Sequence, residues 1–341
     1  MGDLRSGREL DPGRHGNFTG VHRGRPIPFL DRSRSRVLVD VLQSEQAEWF
    51  LAKRNRNMVV EIGPDESLEC GDDFRWLTFG QLRRLLLLDN VVNMDTRSIL
   101  ACLPTGGTDP GPDPGPVLRS FFDPTATPVH TASEVLGRLT AIRATRRHDQ
   151  RRVPLHSVAA DGWQQTGDDI SHSSGHRFRV IATDITTGNR EVGSWTQPLI
   201  QPQAPGLMGL LIKRINGVPH ALVHARTDVG TLNVAEFSPT VHCRPAAHTG
   251  AHPEPAPPYL DTVLTAPTER IRYSSMLSEE GGRFHHAQNR YTLADVPDAF
   301  SEDVPEDYLW LTFAQLTELM AHSNYLDVEL RTLVVCAHTL Y

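Results

Sequence analysis

Apolar residues recur at helical spacing in two corresponding places. Leu82, Leu85 and Leu86 follow Thr78-x-x-Gln81, and Leu316, Leu319 and Met320 follow Thr312-x-x-Gln315. Steps of three and four put these side chains on one helical face. Thr-x-x-Gln is a capping-box pattern, in which hydroxyl and amide satisfy each other's backbone N–H groups at a helix start. A second helix is predicted after each, from about Asp95 and from Val328; Cys102 and Cys336 sit in these apolar runs and read as core residues. Elsewhere the pattern is that of strands. Leu210–Ile215 and Val218–Ala225 flank Asn216-Gly217, a pair that tolerates positive φ and so signals a tight hairpin. Phe178–Ile185 and Ser194–Ile200 predict two more strands joined by Thr187-Gly188-Asn189. Strands followed by helices predict an α+β fold with mostly antiparallel sheet.

The two helical regions belong to an internal repeat. Phe74–Leu103 aligns without gaps on Tyr308–Ala337 at an offset of 234, matching Trp76 with Trp310, Gln81 with Gln315, Asn90 with Asn324, Arg97 with Arg331 and Cys102 with Cys336. The same offset sets Ser44-Glu45 on Ser278-Glu279 and Asn55-Arg56 on Asn289-Arg290. Upstream, Pro28-Phe29-Leu30-Asp31 resembles Pro258-Tyr259-Leu260-Asp261. Three blocks in one order indicate duplication. The second copy has far more chain ahead of its Pro-Tyr-Leu-Asp than the first, so the first repeat is expected to be N-terminally truncated. Pro104–Val117 is too rich in Pro and Gly for regular structure. The expected organisation is therefore residues 1–103 as the C-terminal part of a first repeat, 104–150 as linker and lead-in, and 151–341 as a complete second repeat.

Composition narrows the class. The 341 residues carry a net charge of −7, which disfavours a general nucleic-acid binder because phosphate neutralisation needs a concentrated basic face. Every basic side chain except Lys53 and Lys213 is arginine. No apolar run approaches the roughly 20 residues of a bilayer span, and the polar start holds no signal-peptide core. The four cysteines form neither a zinc pattern nor a disulfide framework. A cytoplasmic location is expected. His242, Cys243, His248 and His252 are close in sequence, and His285-His286 adjoin, but no familiar metal spacing results.

Gln43–Glu61, Phe74–Leu100, Trp195–Arg226, Ser238–His242 and Ser278–Tyr291 resemble the NDP-hexose 2,3-dehydratases, over nearly all of Asn17–Leu103 and Leu155–Tyr341. The resemblance implies a tandem repeat of units with Nudix-like sheets, each ending in a helical hairpin, the first here incomplete. It implies a homodimer acting on dTDP-4-keto-6-deoxy-D-glucose without metal or redox cofactor, and an NADPH-dependent 3-ketoreductase acting next in deoxysugar biosynthesis. No helix bears the clustered glutamates of a Nudix box, so pyrophosphate hydrolysis is disfavoured.

The implied reaction needs a base for the C3 proton, an acid for the C2 hydroxyl, donors for the enolate oxygen, and a clamp for the diphosphate. Matching positions suggest Trp163 to stack on the base, or to pack ordinarily, and Arg226 for the diphosphate or sugar, or as a surface cation. Thr240, Val241, Ser278, Gly281, Gly282 and Arg283 would join them at the substrate, with Asn17, Phe18 and Ser44 from the first repeat. The base stays open among His242, Glu279, Glu280 and Tyr273; His242 stands where the family usually carries glutamine. The chain departs from the family in having Cys243–Leu260 where a Ser-Asn-Tyr element is usual, Phe18 for tyrosine, and Asp228-Val229-Gly230 for Glu-Pro-Gly. Those departures keep a second reading alongside the first, a noncatalytic relative that binds a nucleotide sugar or a pathway partner.

Overall fold

The computed structural model describes residues 35–63, 75–103, 116–121, 126–188, 192–249 and 253–340. From the N-terminus come β1 (Ser35–Ser44), β2 (Arg54–Ile62), α1 (Phe79–Leu85) and α2 (Met94–Ala101). Next are α3 (Pro116–Ser120) and α4 (Ala132–Thr145), then β3 (Trp163–Gln165), β4 (Asp169–His172), β5 (Arg179–Thr186) and β6 (Ser194–Gln201). The chain continues through β7 (Gly206–Ile215), β8 (Val218–Arg226), β9 (Glu236–Ser238), β10 (Val241–Cys243) and α5 (Leu260–Leu264). It closes with β11 (Ile271–Ser278), β12 (Gln288–Asp295), β13 (Tyr308–Thr312), α6 (Phe313–Met320) and α7 (Val328–Ala337).

The fold is mixed α and β, as expected. A main sheet runs β11-β12-β7-β8-β13, with β10 on β7 and β9 on β8; a second sheet is the meander β3-β4-β5-β6; β1 and β2 form a hairpin. Among the named strands, pairing is antiparallel except between β12 and β7, which run parallel; two isolated bridges, Ile200 with Phe284 and Phe237 with Leu326, are also parallel. The Asn216-Gly217 turn behaves as predicted: φ is 51° and 83°, and Ile215 faces Val218.

Elements recur 234 residues apart. β1 and β2 correspond to β11 and β12, α1 to α6, and α2 to α7. Thr78 and Thr312 both close capping boxes, and Asn93 and Asp327 both cap the next helix. Asn90 and Asn324 are both left-handed, at φ 59° and 61°.

One corresponding stretch differs. Tyr308–Thr312 pairs with β8, whereas Arg75–Thr78, with the same Trp-Leu-Thr, is not a strand. No partner strand lies beside it among the described residues, and strand formation depends on such context more than on propensity. Trp310 is 1% exposed and Trp76 66%.

The core lies on both faces of the main sheet. One side packs under α2, α4, α6 and α7, the last of which is buried on every face. The other side packs Leu211, Leu222, Val241 and Trp310 against α5. Helix α4 falls in the stretch read from sequence as lead-in; it buries Val135 and Leu139 in the first of these cores. Its Arg143 donates to Ala235 O and Asn324 O, which ties it to the second repeat. No helix among the described residues is long and apolar enough to cross a membrane.

Candidate functional site

The β1–β2 connection, residues 45–53, does not project into solvent. It lies across the second copy. Ala52 N donates to Gly230 O at 2.8 Å, and Gly230 N to Ala47 O at 2.7 Å. Gly230 is required there, because a Cβ would fall 1.8 Å from Phe50 O.

Around this segment the structure gathers charge. Glu45 Oε1 meets Arg331 Nη2 at 3.1 Å, both side chains almost fully buried. Ser44 Oγ donates to Glu236 Oε2 at 2.5 Å. Gln46 Nε2 donates to Glu279 Oε2 at 2.5 Å, while Asn289 and Tyr291 donate to Glu279 Oε1. Lys53 Nζ donates to Glu280 Oε2 at 2.7 Å, and Arg283 to Glu280 Oε1 at 2.9 Å. Glu48 sits between Arg244 at 2.6 Å and His242 at 3.4 Å. Arg226 donates to Asp228 and to His242 O.

An aromatic ladder continues from here to the small sheet. Arg244 lies 4.4 Å over the Trp49 ring. Trp49 packs on Phe178 at 5.3 Å and on Phe284 at 5.4 Å; Phe178 packs on Trp163 at 4.9 Å. Trp163, Arg226 and the Glu279–Arg283 loop are thus joined through one segment of the first copy.

Burial sets the proton affinities. It pushes the Glu45 carboxyl up to about 7, against the pull of Arg331 and Lys53. It pushes Glu236 to about 7 as well, against the Ser44 hydrogen bond and Arg331. For His242, burial and Arg226 oppose the charged ring, but Glu329, Asp327 and Glu48 prevail and hold it up at about 10. Glu48 goes the other way: burial raises it, and His242 and Arg244 outweigh burial and keep it well below the usual carboxylate range. Glu45 Oε2, Gln46 Oε1, Glu236 Oε1, His242 Nε2 and Asp327 Oδ2 are buried without a hydrogen-bond partner. Such atoms are rare in a folded interior. Two carboxyls that titrate near neutrality beside an arginine suit general acid–base chemistry.

Several predicted residues fall elsewhere. Tyr273 is not placed to act as a base: its hydroxyl donates to Leu86 O at 2.7 Å inside the apolar core, and burial drives it far from ionisation. Thr240 and Val241 do not face the charged region. Thr240 donates to Leu222 O and accepts from Leu211 N at 3.0 Å, and Val241 lies in the core with Trp310. Within β10, alternation turns His242 to the side opposite Val241. The Ser278 backbone carbonyl accepts from Arg97 at 2.9 Å. Gly281 and Gly282 are exposed, with open space at their Cβ positions. Asn17 and Phe18 lie outside the described residues.

Sequence reading missed Glu45, Glu48, Trp49, Glu236, Asp327 and Glu329. A signal for Glu45 exists in the repeat, where it matches Glu279. Separately, a groove of about 400 Å³ runs between β1 and α6, lined by Val39, Val41, Phe121, Ala314 and Thr317. It is largely apolar and holds none of these charged groups.

Comparison with known proteins decides the family. Residues 9–103 and 132–337 match the family described as NDP-hexose 2,3-dehydratase. The chain belongs to the NDP-hexose 2,3-dehydratase family. A dTDP-4-dehydro-6-deoxy-alpha-D-glucopyranose 2,3-dehydratase of Saccharopolyspora spinosa is 45% identical over 335 residues, covering 95% of this chain and 68% of that protein. Proteins of the same name from Streptomyces violaceoruber and Amycolatopsis orientalis are 42% and 41% identical, with 71% and 64% of their lengths covered. The residues matched to the 2,3-dehydratase family include the segments that build the charged region: the 45–53 connection, β8 to β10, and the β11–β12 loop.

Proposed function

We propose that the protein removes water across C2–C3 of dTDP-4-keto-6-deoxy-D-glucose, the 4-dehydro sugar in its relatives' names, and yields a 3,4-diketo-2,6-dideoxy sugar. The observation that carries this is the pair of buried carboxyls, Glu45 and Glu236, held near pKa 7 with one unpartnered oxygen each.

The substrate supplies its own electron sink. Its C4 ketone acidifies the C3 hydrogen. A carboxylate takes that proton and the electron pair moves into a C3–C4 enolate. As the C4 carbonyl re-forms, the C2–O bond breaks and a carboxylic acid protonates the departing hydroxyl, releasing water. The C2–C3 enol left behind takes a proton at C2 and becomes the diketone. Each positioned acid or base contributes about 10²–10⁴-fold. Glu45 and Glu236 are assigned these two proton transfers, with Glu279 and Glu280 as supporting carboxylates. Arg226 and Arg244 serve the diphosphate, since guanidinium forks match phosphate oxygens. Trp163 and Trp49 offer faces for the thymine.

The finer architecture belongs to the same proposal. The chain is a tandem repeat of Nudix-like units; the elements matched 234 residues apart support the repeat. The protein works as a homodimer, and an NADPH-dependent 3-ketoreductase consumes the unstable diketone. Replacing each carboxyl tests the assignment. Glu45→Gln and Glu236→Gln are expected to lower kcat at least 10²-fold while dTDP binding persists. Full turnover in both variants would move the proton transfers to other groups.

A further inference from the structure

In the second copy, β7 and β8 fill the space between β12 and β13. Residues 289–295 of β12 pair in parallel with 206–212 of β7, and β13 pairs antiparallel with β8. The offset of 234 sets residues 55–61 of β2 on 289–295, and 76–78 on 310–312. Among the described residues β2 pairs with β1 alone, and 76–78 pair with no strand. The first copy therefore carries the counterparts of both flanking strands without the two strands between them.

Side chains are open there where their matches are closed. Trp76, Leu77 and Phe79 are 66%, 42% and 54% exposed, whereas Trp310, Leu311 and Phe313 are 1%, 0% and 0% exposed. In the second copy β8 does part of the covering: Leu222 stands beside Trp310 and Ala221 beside Leu311. Met58, Val59 and Val60 of β2 are only half-buried, and their matches in β12 are buried. Helix α1 buries none of its residues, while α6 buries one whole apolar face. An open strand edge beside apolar side chains is a template for further strands.

We infer that the open edge of β2 and the face of Trp76, Leu77 and Phe79 form a docking site for an apolar β-hairpin of another polypeptide, built like β7–β8. The repeat sets the chemistry of that hairpin. Its first strand runs parallel to β2 and is apolar almost without a break, because such a strand is covered on both faces; every residue of β7 except Arg214 is buried. A two-residue turn that accepts positive φ, as at Asn216-Gly217, brings the second strand back beside residues 76–78. This chain's own β7–β8 hairpin is committed to the second copy's core. Residues 1–34, 64–74 and 104–115 hold no second pair of apolar runs in their sequence, so the occupant comes from another polypeptide.

The test uses the full chain and a fluorescent peptide copying residues 206–226, flanked by lysines for solubility. Fluorescence anisotropy is expected to show saturable one-to-one binding. Trp76→Ala removes only an exposed side chain, so the variant folds, and it is expected to weaken binding about 10-fold or more. Hydrogen exchange is expected to slow at residues 55–61 when the peptide binds, and to stay as it was at 289–295. A peptide with the same residues in scrambled order is expected not to bind. No binding, equal binding of the scrambled peptide, undiminished binding by Trp76→Ala, or unchanged exchange at 55–61 each overturns the inference. Slow exchange at 55–61 that needs no peptide and grows with protein concentration would give the edge to a second copy of this chain, and overturns it too.

Discussion

Arg97 and Arg331 each reach across the molecule to the other copy's hairpin. Arg331 Nη2 donates to Ser44 O at 2.7 Å, and Arg97 Nη2 donates to Ser278 O at 2.9 Å. Their Nη1 groups donate to the corresponding carbonyls of Leu326 and Val92. Both guanidiniums are fully buried, and the two repeats are stitched by one interaction used twice.

Arg331 also neutralises Glu45 in the interior. Removing one partner of a buried pair strands the other, at about 3–5 kcal/mol. Arg331→Met is expected to destabilise by that amount in urea denaturation. Combined with Glu45→Gln it is expected to cost clearly less than the sum of the single changes. Additivity in the double-mutant cycle would mean the two side chains do not interact.

Matched tryptophans should respond unequally. Trp310 is packed against the second core and Trp76 is exposed. Trp310→Ala is expected to cost about 3–5 kcal/mol, and Trp76→Ala within about 0.5 kcal/mol. Equal losses in thermal unfolding would show that Trp76 is covered in solution.

Gly230 holds the 45–53 segment in place. In Gly230→Ala the new methyl meets Phe50 O, a backbone atom that cannot rotate away. The segment shifts, carrying Glu45 and Glu48. Misplacement of about 1 Å is enough for a 10²-fold fall in kcat/KM. The main-sheet core is untouched, so far-ultraviolet circular dichroism should be unchanged. Wild-type turnover in this variant would detach the segment from the chemistry.

The raised Glu45 carboxyl also carries a pH signature. Its folded value of about 7 exceeds the ordinary 4.5, so the protonated form favours folding. Its contribution is present below about 4.5, is lost as pH rises to about 7, and is flat beyond. The stability difference between Glu45→Gln and wild type should therefore shift in the variant's favour between pH 5 and pH 8, by up to about 3 kcal/mol, whatever its value at pH 5. A difference constant across that range would show that Glu45 titrates normally.

Much of the fold could be read from residues. The capping boxes at Thr78 and Thr312, the Asn216-Gly217 hairpin and the two helices after each box depend on local chemistry, and all are present. Arg75–Thr78 could not be read, because whether Trp-Leu-Thr becomes a strand depends on a partner strand far away in sequence. The site was half legible. Trp163, Arg226 and the Glu279–Arg283 loop, which the motif blocks singled out, are linked to one another through Phe178 and the 45–53 segment. Glu48, Glu236 and Glu329 were hidden because burial, which gives them their chemistry, arises only when the 45–53 segment docks on the second copy. Thr240, Val241 and Tyr273 sit in matching blocks, yet they serve the core.

The most direct test follows the sugar itself. Purified protein would be incubated with dTDP-4-keto-6-deoxy-D-glucose in D₂O, and the product trapped by an NADPH-dependent 3-ketoreductase and weighed by mass spectrometry. Elimination through a C2–C3 enol, followed by the trapping reduction of the C3 ketone, predicts a sugar nucleotide lighter by one oxygen (one water lost, two hydrogens gained) and carrying deuterium at C2. Recovery of the sugar with its C2 hydroxyl in place, although dTDP is bound, would contradict the account.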